Sequence, residues 1–489
     1  MSRHFSFKAV VLGAPLSTSP GGGHPPPARQ VKSRSGCEPC KRRRVKCDET
    51  RPRCRRCQSR NETCTGNFLS DTWQIERPWL LVADQKPQSV PFSSKTYGEL
   101  TGVLENDLLR HWFDHACLTM AILPPPLNPL SDGMAPYLRR SKALRHTIQC
   151  VSHAHRQFFS VAQLAEFLDE RDRALVSLQN EIDRAMQRSP SSQGSLLQTI
   201  LLSSLLLGIS SAWLVDDDYG YQYLVGTRKV VSLLLEQDNS TDDFLRYLLG
   251  LYVYWELCSS YIEPCDMILS STELVSKVVS EHLASYIHPV TGIATSICPV
   301  LIDVGRYYRR VIELSVDGVN PAYEYLLESK LQDWSPEKAS FSISVCSQTK
   351  AESLLASLQL LADSQRAMGM IMLYQARSVA QGIHPAGFPP LRKAVETIMT
   401  MLRLIPPGDP LLNSEAPLLV IAGSELLETD TEYRELVERH AMEVTKFTRV
   451  RAYMSGIQLV RDIWDLRKAG MRTTWLELML QRGNTLSLV

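Results

Sequence analysis

Six cysteines fall between residues 37 and 64 as C-x2-C-x6-C-x6-C-x2-C-x6-C: Cys37, Cys40, Cys47, Cys54, Cys57 and Cys64. The stretch reads CEPCKRRRVKCDETRPRCRRCQSRNETC, and each half repeats C-x2-C-x6-C. A C-x2-C pair at the start of a helical turn puts two thiols on one side, close enough to share a metal ion. Zinc takes four thiolates in a tetrahedral structural site. Six cysteines fall short of two separate four-thiolate sites, but they hold two zinc ions if two sulfurs bridge both. The competing chemistry is a disulfide cluster, which needs an oxidising compartment.

The charge between the cysteines suggests what the cluster serves. Val31 to Cys64 carries twelve Lys and Arg against four Asp and Glu, a net of +8. Six thiolates and two zinc ions together contribute about −2, which leaves about +6 on a very small module. That density suits phosphate binding, whose affinity rests on displaced counterions. Arginine also pairs bidentately with guanine O6 and N7. The run KRRRVK, Lys41 to Lys46, would serve equally as a nuclear-import signal, and the two roles can coexist.

These residues resemble the fungal binuclear zinc-cluster transcription factors. The resemblance rests on the six spacings, the basic run after Cys40, the Lys46-Cys47-Asp48 step and Pro52. It implies two short helices around two structural zinc ions, with Cys37 and Cys54 bridging. It also implies that the end of the first helix enters the major groove of double-stranded DNA at a CGG-type triplet. The family's base-reading positions fall on Arg43 and Arg44, and Lys46 falls on a DNA-contacting one. Many members carry lysine where this chain has Arg44. Pro52 matches the proline that turns the loop between the repeats. Lys41 and Arg42 complete the basic run, and Arg51 and Arg55 are placed as phosphate-facing candidates.

The 489 residues have a net charge of only +1, distributed unevenly: +3 in residues 1–30, +8 in the cluster region and −10 beyond it. A basic head on an acidic body fits a nucleic-acid reader with a separate protein-facing part. The apolar run Ala9 to Leu12 is too short for a secretory signal. Ser17 to Pro27 is rich in Ser, Gly and Pro, so residues 1–30 are expected to be a disordered arm in place of a transit peptide. Residues 31–66 form the cluster domain. Residues 67–100, with Pro78, Pro87 and Pro91, form a linker that no continuous helix crosses.

From Val103 the pattern turns helical, so the fold class is mostly α: a two-zinc module followed by a large all-α helical array over 101–489. Leu104, Leu108, Trp112 and Ala116 share a face, in a helix ended by Pro124 to Pro126. Further runs are expected near 140–160, 163–186, 195–214, 219–236, 242–262, 300–331, 350–382, 389–404 and 430–469. The last is expected to open on a Thr429–Glu432 capping box and stop at Gly470. Ser195 to Val215 carries no charge and is long enough to span a bilayer, but its serines and flanks favour a buried core helix. LLRHWFDHACLTM and FLRYLLGLYVYWEL resemble the same family's regulatory domain, which implies regulation, with small-molecule sensing as in sterol-responsive members.

Other chemistry is sparse. His111 and His115, with Cys117 nearby, could meet a metal, though two histidines on one helix more often make ordinary hydrogen bonds. His153 and His155 face different sides of a helix. Cys117, Cys150, Cys258, Cys265, Cys298 and Cys346 lack ligand spacing and read as buried thiols. Glu425 to Glu438 could serve as an activation surface, but its periodicity favours an ordinary helix. No Gly-rich phosphate loop, G-x-S-x-G elbow or H-E-x-x-H occurs, so no catalytic residue is assigned and the chain is read as a non-enzyme. The expected function is a nuclear, zinc-dependent regulator of RNA polymerase II genes. Its partners would be double-stranded DNA and transcription machinery or co-regulators. A homodimer through the C-terminal domain and a small-molecule effector are also compatible, and no membrane is. The alternative is an enzyme or chromatin adaptor that uses the module only for docking.

Overall fold

The computed structural model describes residues 37–45, 47–48, 54–62, 64, 106–156, 164–189, 193–213, 218–237, 242–265, 271–336, 348–382, 388–406, 408–483 and 485–488. They fall into two units, one within Val10–Ser89 and one within Val90–Val489. The first holds α1 (Glu38–Arg42) and α2 (Arg55–Gln58). The second runs through α3 (Asp107–Asp114), α4 (Ala135–Arg140), α5 (Lys142–Arg156), α6 (Leu164–Met186), α7 (Gly194–Ile209), α8 (Tyr221–Leu235) and α9 (Asp243–Ser259). It continues with α10 (Ser271–His282), α11 (Cys298–Leu314), α12 (Pro321–Asp333), α13 (Gln348–Gln381), α14 (Pro389–Leu404), α15 (Glu415–Gly423), α16 (Thr431–Thr448), α17 (Ala452–Lys468) and α18 (Trp475–Gln481). Among the described residues there is no strand, only an isolated bridge between His288 and Gly292. The mostly α class read from the sequence holds.

Three helices that are apolar nearly all round form the centre of the larger unit. Every residue of α15 is buried, as are Thr199 to Ile209 of α7 and Tyr247 to Ser259 of α9. A helix without a polar face must be surrounded. The others carry an apolar stripe and pack around them: α5 on α6, α7 on α8 and α13 on α14 as chain neighbours, α3 on α5, α9 on α11 and α11 on α13 across longer stretches. One continuous apolar core runs from Leu109 to Leu488. The uncharged helix from Gly194 to Trp213 is long and apolar enough for a bilayer, but 83% of its apolar window is buried in the protein. Ser203 and Ser211 satisfy their hydroxyls on carbonyls of the same helix. It is the core helix its serines suggested.

One close approach sets the packing of α9. The imidazole of His288 lies so near Gly250 that an added Cβ would meet its Nε2 at 2.1 Å. Nε2 donates to the Tyr247 carbonyl at 3.0 Å, and Nδ1 accepts from the amides of Val290 and Thr291. The pattern fixes the neutral tautomer, and burial pushes this histidine down to about 4.

Several element boundaries differ from the sequence reading. The helix expected from Val103 to the prolines spans only Asp107–Asp114, because the Asn106 side chain accepts from the amides of Leu108 and Leu109 and starts it there. The run near 300–331 is two helices. Ser315 has φ +52°, and Asn320 caps α12 ahead of Pro321. The run 430–469 is also two, broken at Arg449 with φ +57°. Thr429 forms no capping box there. Asp430 stands at the N-terminus, held by Arg392 at 2.7 and 3.1 Å, and accepts from Leu427. The observed capping box is Thr474 with Glu477, on α18. Gly470 does stop α17: its amide bonds the Arg467 carbonyl and that of Met471 reaches Leu466, a Schellman closure with φ +78°. Four helices outside the expected runs are α4, α10, α15 and α18.

Candidate metal centre and nucleic-acid interface

The two sequence repeats build two similar turns. Cys37 precedes α1, with Pro39 in the first turn, and Cys54 precedes α2 with its Sγ accepting from the Cys57 amide at 3.3 Å. Each helix lasts barely a turn and is reversed by a left-handed residue four places after its second cysteine, Arg44 at φ +56° and Asn61 at φ +53°. The next amide then returns to that cysteine's carbonyl: Val45 to Cys40 at 3.1 Å and Glu62 to Cys57 at 3.0 Å. Both amides are therefore satisfied inside a module with little regular structure.

The thiols converge in the space these turns enclose. Cys37, Cys40, Cys54 and Cys57 are buried, with ligand atoms all within 4.8 Å of one another. Sγ separations are 3.7 Å for Cys37–Cys54, 3.6 Å for Cys37–Cys57 and 3.8 Å for Cys40–Cys54. The edge of a tetrahedron with zinc–sulfur bonds of about 2.3 Å is about 3.8 Å. A disulfide would hold the sulfurs at about 2.0 Å, and none joins these cysteines. Cys47 lies against Cys40, and Cys64 lies against Cys37, Cys54 and Cys57. Cys37, Cys40, Cys54 and Cys57 thus form one compact group of four, with Cys47 and Cys64 beside it. Burial pushes the Cys37 thiol far up and that of Cys57 up to about 12. At Cys54 burial acts the same way, but the Cys57 amide and neighbouring thiols outweigh it and hold the group down.

Residues 35–73 match the fungal Zn(2)-Cys(6) binuclear cluster domain, and residues 107–489 match the fungal specific transcription factor domain. The chain belongs to the fungal-specific transcription factors. Zinc binding comes with the cluster domain. A stretch of 44 residues is 59% identical to the aspercryptin biosynthesis cluster-specific transcription regulator of Emericella nidulans. That match covers 9% of this chain and 7% of the relative. No solved structure matches the chain.

The factor's basic residues take different positions. Lys41 and Arg42, in the last turn of α1, are exposed, as are Arg44 just beyond it and Arg55 on α2. Cations at a helix C-terminus complement its dipole. Arg43 is half-buried and turned inward, with Nη2 at 3.5 Å from the Cys57 sulfur and 2.9 Å from a Glu62 carboxylate oxygen. Lys46, Arg51 and Pro52 lie outside the described residues. In the sequence Asp48 stands out only within the Lys46-Cys47-Asp48 step. Its two carboxylate oxygens accept from the Arg55 and Arg56 amides at 3.1 and 3.3 Å, capping α2 from the other repeat. An acid close before a helix start is the available signal.

The histidines do not assemble a metal site with Cys117. His111 Nε2 meets Nδ1 of His155 at 2.9 Å, while the Cys117 thiol bonds the Phe113 carbonyl. Among the described residues the cysteine cluster supplies the group of three or more potential ligands within reach of one ion. Burial pushes His111 down to about 3 and His155 well down, so this pair is neutral. His153 and His155 are both buried. Cys117, Cys150, Cys258 and Cys298 are buried thiols as expected, Cys265 is only half-buried, and Cys346 lies outside the described residues.

Proposed function

We propose that this factor is a nuclear, sequence-specific regulator of RNA polymerase II genes, bound to DNA through a two-zinc module. The observation that carries this reading is the convergence of Cys37, Cys40, Cys54 and Cys57, with Cys47 and Cys64 beside them and Lys41, Arg42 and Arg44 exposed where α1 ends. The two ions supply the cations that six clustered thiolates, five of them buried, require and staple a segment too small to hold its own core. Stapling fixes the end of α1 as a rigid probe for the major groove. Arg44 then offers a planar fork to guanine in a CGG-type triplet, with Lys46 beside it. Lys41, Arg42, Arg51 and Arg55 bind phosphates and hold register without reading sequence. The larger unit is the regulatory part, and its extensive surface suits a second copy, co-regulators or a small effector.

Direct readout has a clear signature. Arg44→Ala is expected to cost about 1–3 kcal/mol on a CGG-containing duplex and little on a scrambled one. Neutralising Arg51 or Arg55 is expected to weaken both duplexes alike and flatten the salt dependence. Zinc-dependent titrations of the full chain on the two duplexes measure this. Equal affinity for both by the wild-type chain would leave the module as a docking element and overturn the reading.

A further inference from the structure

We propose that Arg43 is a positioning residue of the metal centre, holding the Cys57 thiolate and the end of α1 in place, and not a reader of bases. The inference rests on the reading of the six thiols as zinc ligands. Three contacts fix the guanidinium. Its Nε donates to the Pro39 carbonyl at 3.1 Å, its Nη2 donates to the Cys57 sulfur at 3.5 Å, and the same nitrogen pairs with Glu62 at 2.9 Å. The first closes a carbonyl of α1. The second crosses to the other repeat and places an N–H on a ligand sulfur. Such outer contacts orient ligands and keep them deprotonated, and their loss commonly lowers metal affinity by about 10–100-fold. The third ties that same nitrogen to a carboxylate. A guanidinium engaged in these three ways cannot also present its fork to guanine without giving them up. Arg60 stands at the same place in the second repeat and is exposed, so the contact is particular to Arg43 and not a product of the repeat. By locking the residue before it, the contact also fixes the left-handed turn that points Arg44 outward.

The test compares full-length wild type, Arg43→Ala, Arg43→Lys, Arg60→Ala and Glu62→Gln. A chelator challenge reads zinc release, and duplexes permuted singly within the triplet read base preference. Arg43→Ala is expected to give up zinc at about tenfold lower chelator concentration, with Glu62→Gln in between and Arg60→Ala unchanged. Lysine restores the charge without the fork and should not restore retention. In the cobalt(II)-loaded chain the sulfur-to-cobalt band should move to longer wavelength in Arg43→Ala, since an unbonded thiolate is easier to oxidise. The ratio of matched to permuted affinities should stay at the wild-type value in whichever variants hold metal. Unchanged zinc release with a relaxed preference at one base would overturn the proposal. Should Arg43→Ala arrive without metal, Glu62→Gln decides: weakened retention supports the proposal and wild-type retention overturns it. A wild-type chain that holds no zinc would refute the zinc reading itself, which is a separate result.

Discussion

The family resemblance implies that Cys37 and Cys54 differ from the other four cluster cysteines in bridging both zinc ions, and their sulfurs lie 3.7 Å apart. Cys37→Ser and Cys54→Ser are each expected to empty both metal positions, whereas Cys64→Ser should remove a ligand from one. Elemental analysis of the full chain should find two zinc ions in the wild type, none in the first two variants, and more than none in the third. Finding one zinc in the wild type would refute the bridged arrangement. The cysteines were legible because spacing alone brings C-x2-C thiols together. Asp48 and the contacts of Arg43 and Glu62 were not, because they depend on where two short turns end and on which repeat faces which. His288 was equally silent in sequence, yet it ties a loop to α9 and titrates far from its usual range. Its folded form is pushed down to about 4 from about 6.5, so it contributes no pH dependence above 6.5. As the pH falls below that, the unfolded chain takes up a proton that the folded chain refuses. Stability is then lost by about 1.4 kcal/mol per unit until about pH 4. Denaturant midpoints of the full chain should fall across this window, and His288→Gln should flatten the fall.

At the scale of elements, a buried ion cluster joins three helices of the larger unit. Arg228 of α8 makes paired hydrogen bonds to Glu256 of α9, at 2.6 and 2.9 Å, and to Glu263 beyond it, at 3.0 and 2.9 Å. Arg306 of α11 approaches Glu256 at 3.5 Å. All four are buried. Burial alone would lower the Arg228 guanidinium, but the two carboxylates outweigh it and hold it well above its usual range. Arg228→Met should therefore cost about 3–5 kcal/mol, because it leaves two carboxylates together in the interior. Replacing all four with apolar residues of similar size should recover most of that loss. Chemical denaturation followed by the helical signal measures both, and a loss under about 1 kcal/mol for Arg228→Met would show that the cluster is solvated. Nothing in the sequence marked it, because a single charge on an amphipathic helix reads as part of a wet face. Helix class was easier to read than helix ends. The apolar period carries on from α16 into α17, so the reversal at Arg449, without glycine or proline, was invisible. Helix α15 was missed for the opposite reason: it is apolar on every side and has no period at all.

At the scale of the whole molecule, the question is how many modules engage DNA and at what separation. Many zinc-cluster relatives dimerise through a coiled coil close to the cluster, which fixes two triplets at one spacing. A coiled coil needs apolar a and d positions sustained over three or four heptads. Residues 67–100 contain Pro78, Pro87 and Pro91 and no such repeat. We propose that a paired arrangement in this factor is made by the larger unit, with the linker read from the sequence setting reach and not register. Two modules so joined gain from effective concentration over a range of separations, and that gain falls slowly as the span changes. The full chain is expected to bind paired triplets more tightly than a single one and to show a shallow dependence on the bases between them. Titrations across a series of spacings, with sedimentation of the full chain to establish its assembly state, measure this. A dimer whose affinity is confined to one spacing would overturn the argument, because it would require a rigid element between module and body that the proline-containing segment does not encode.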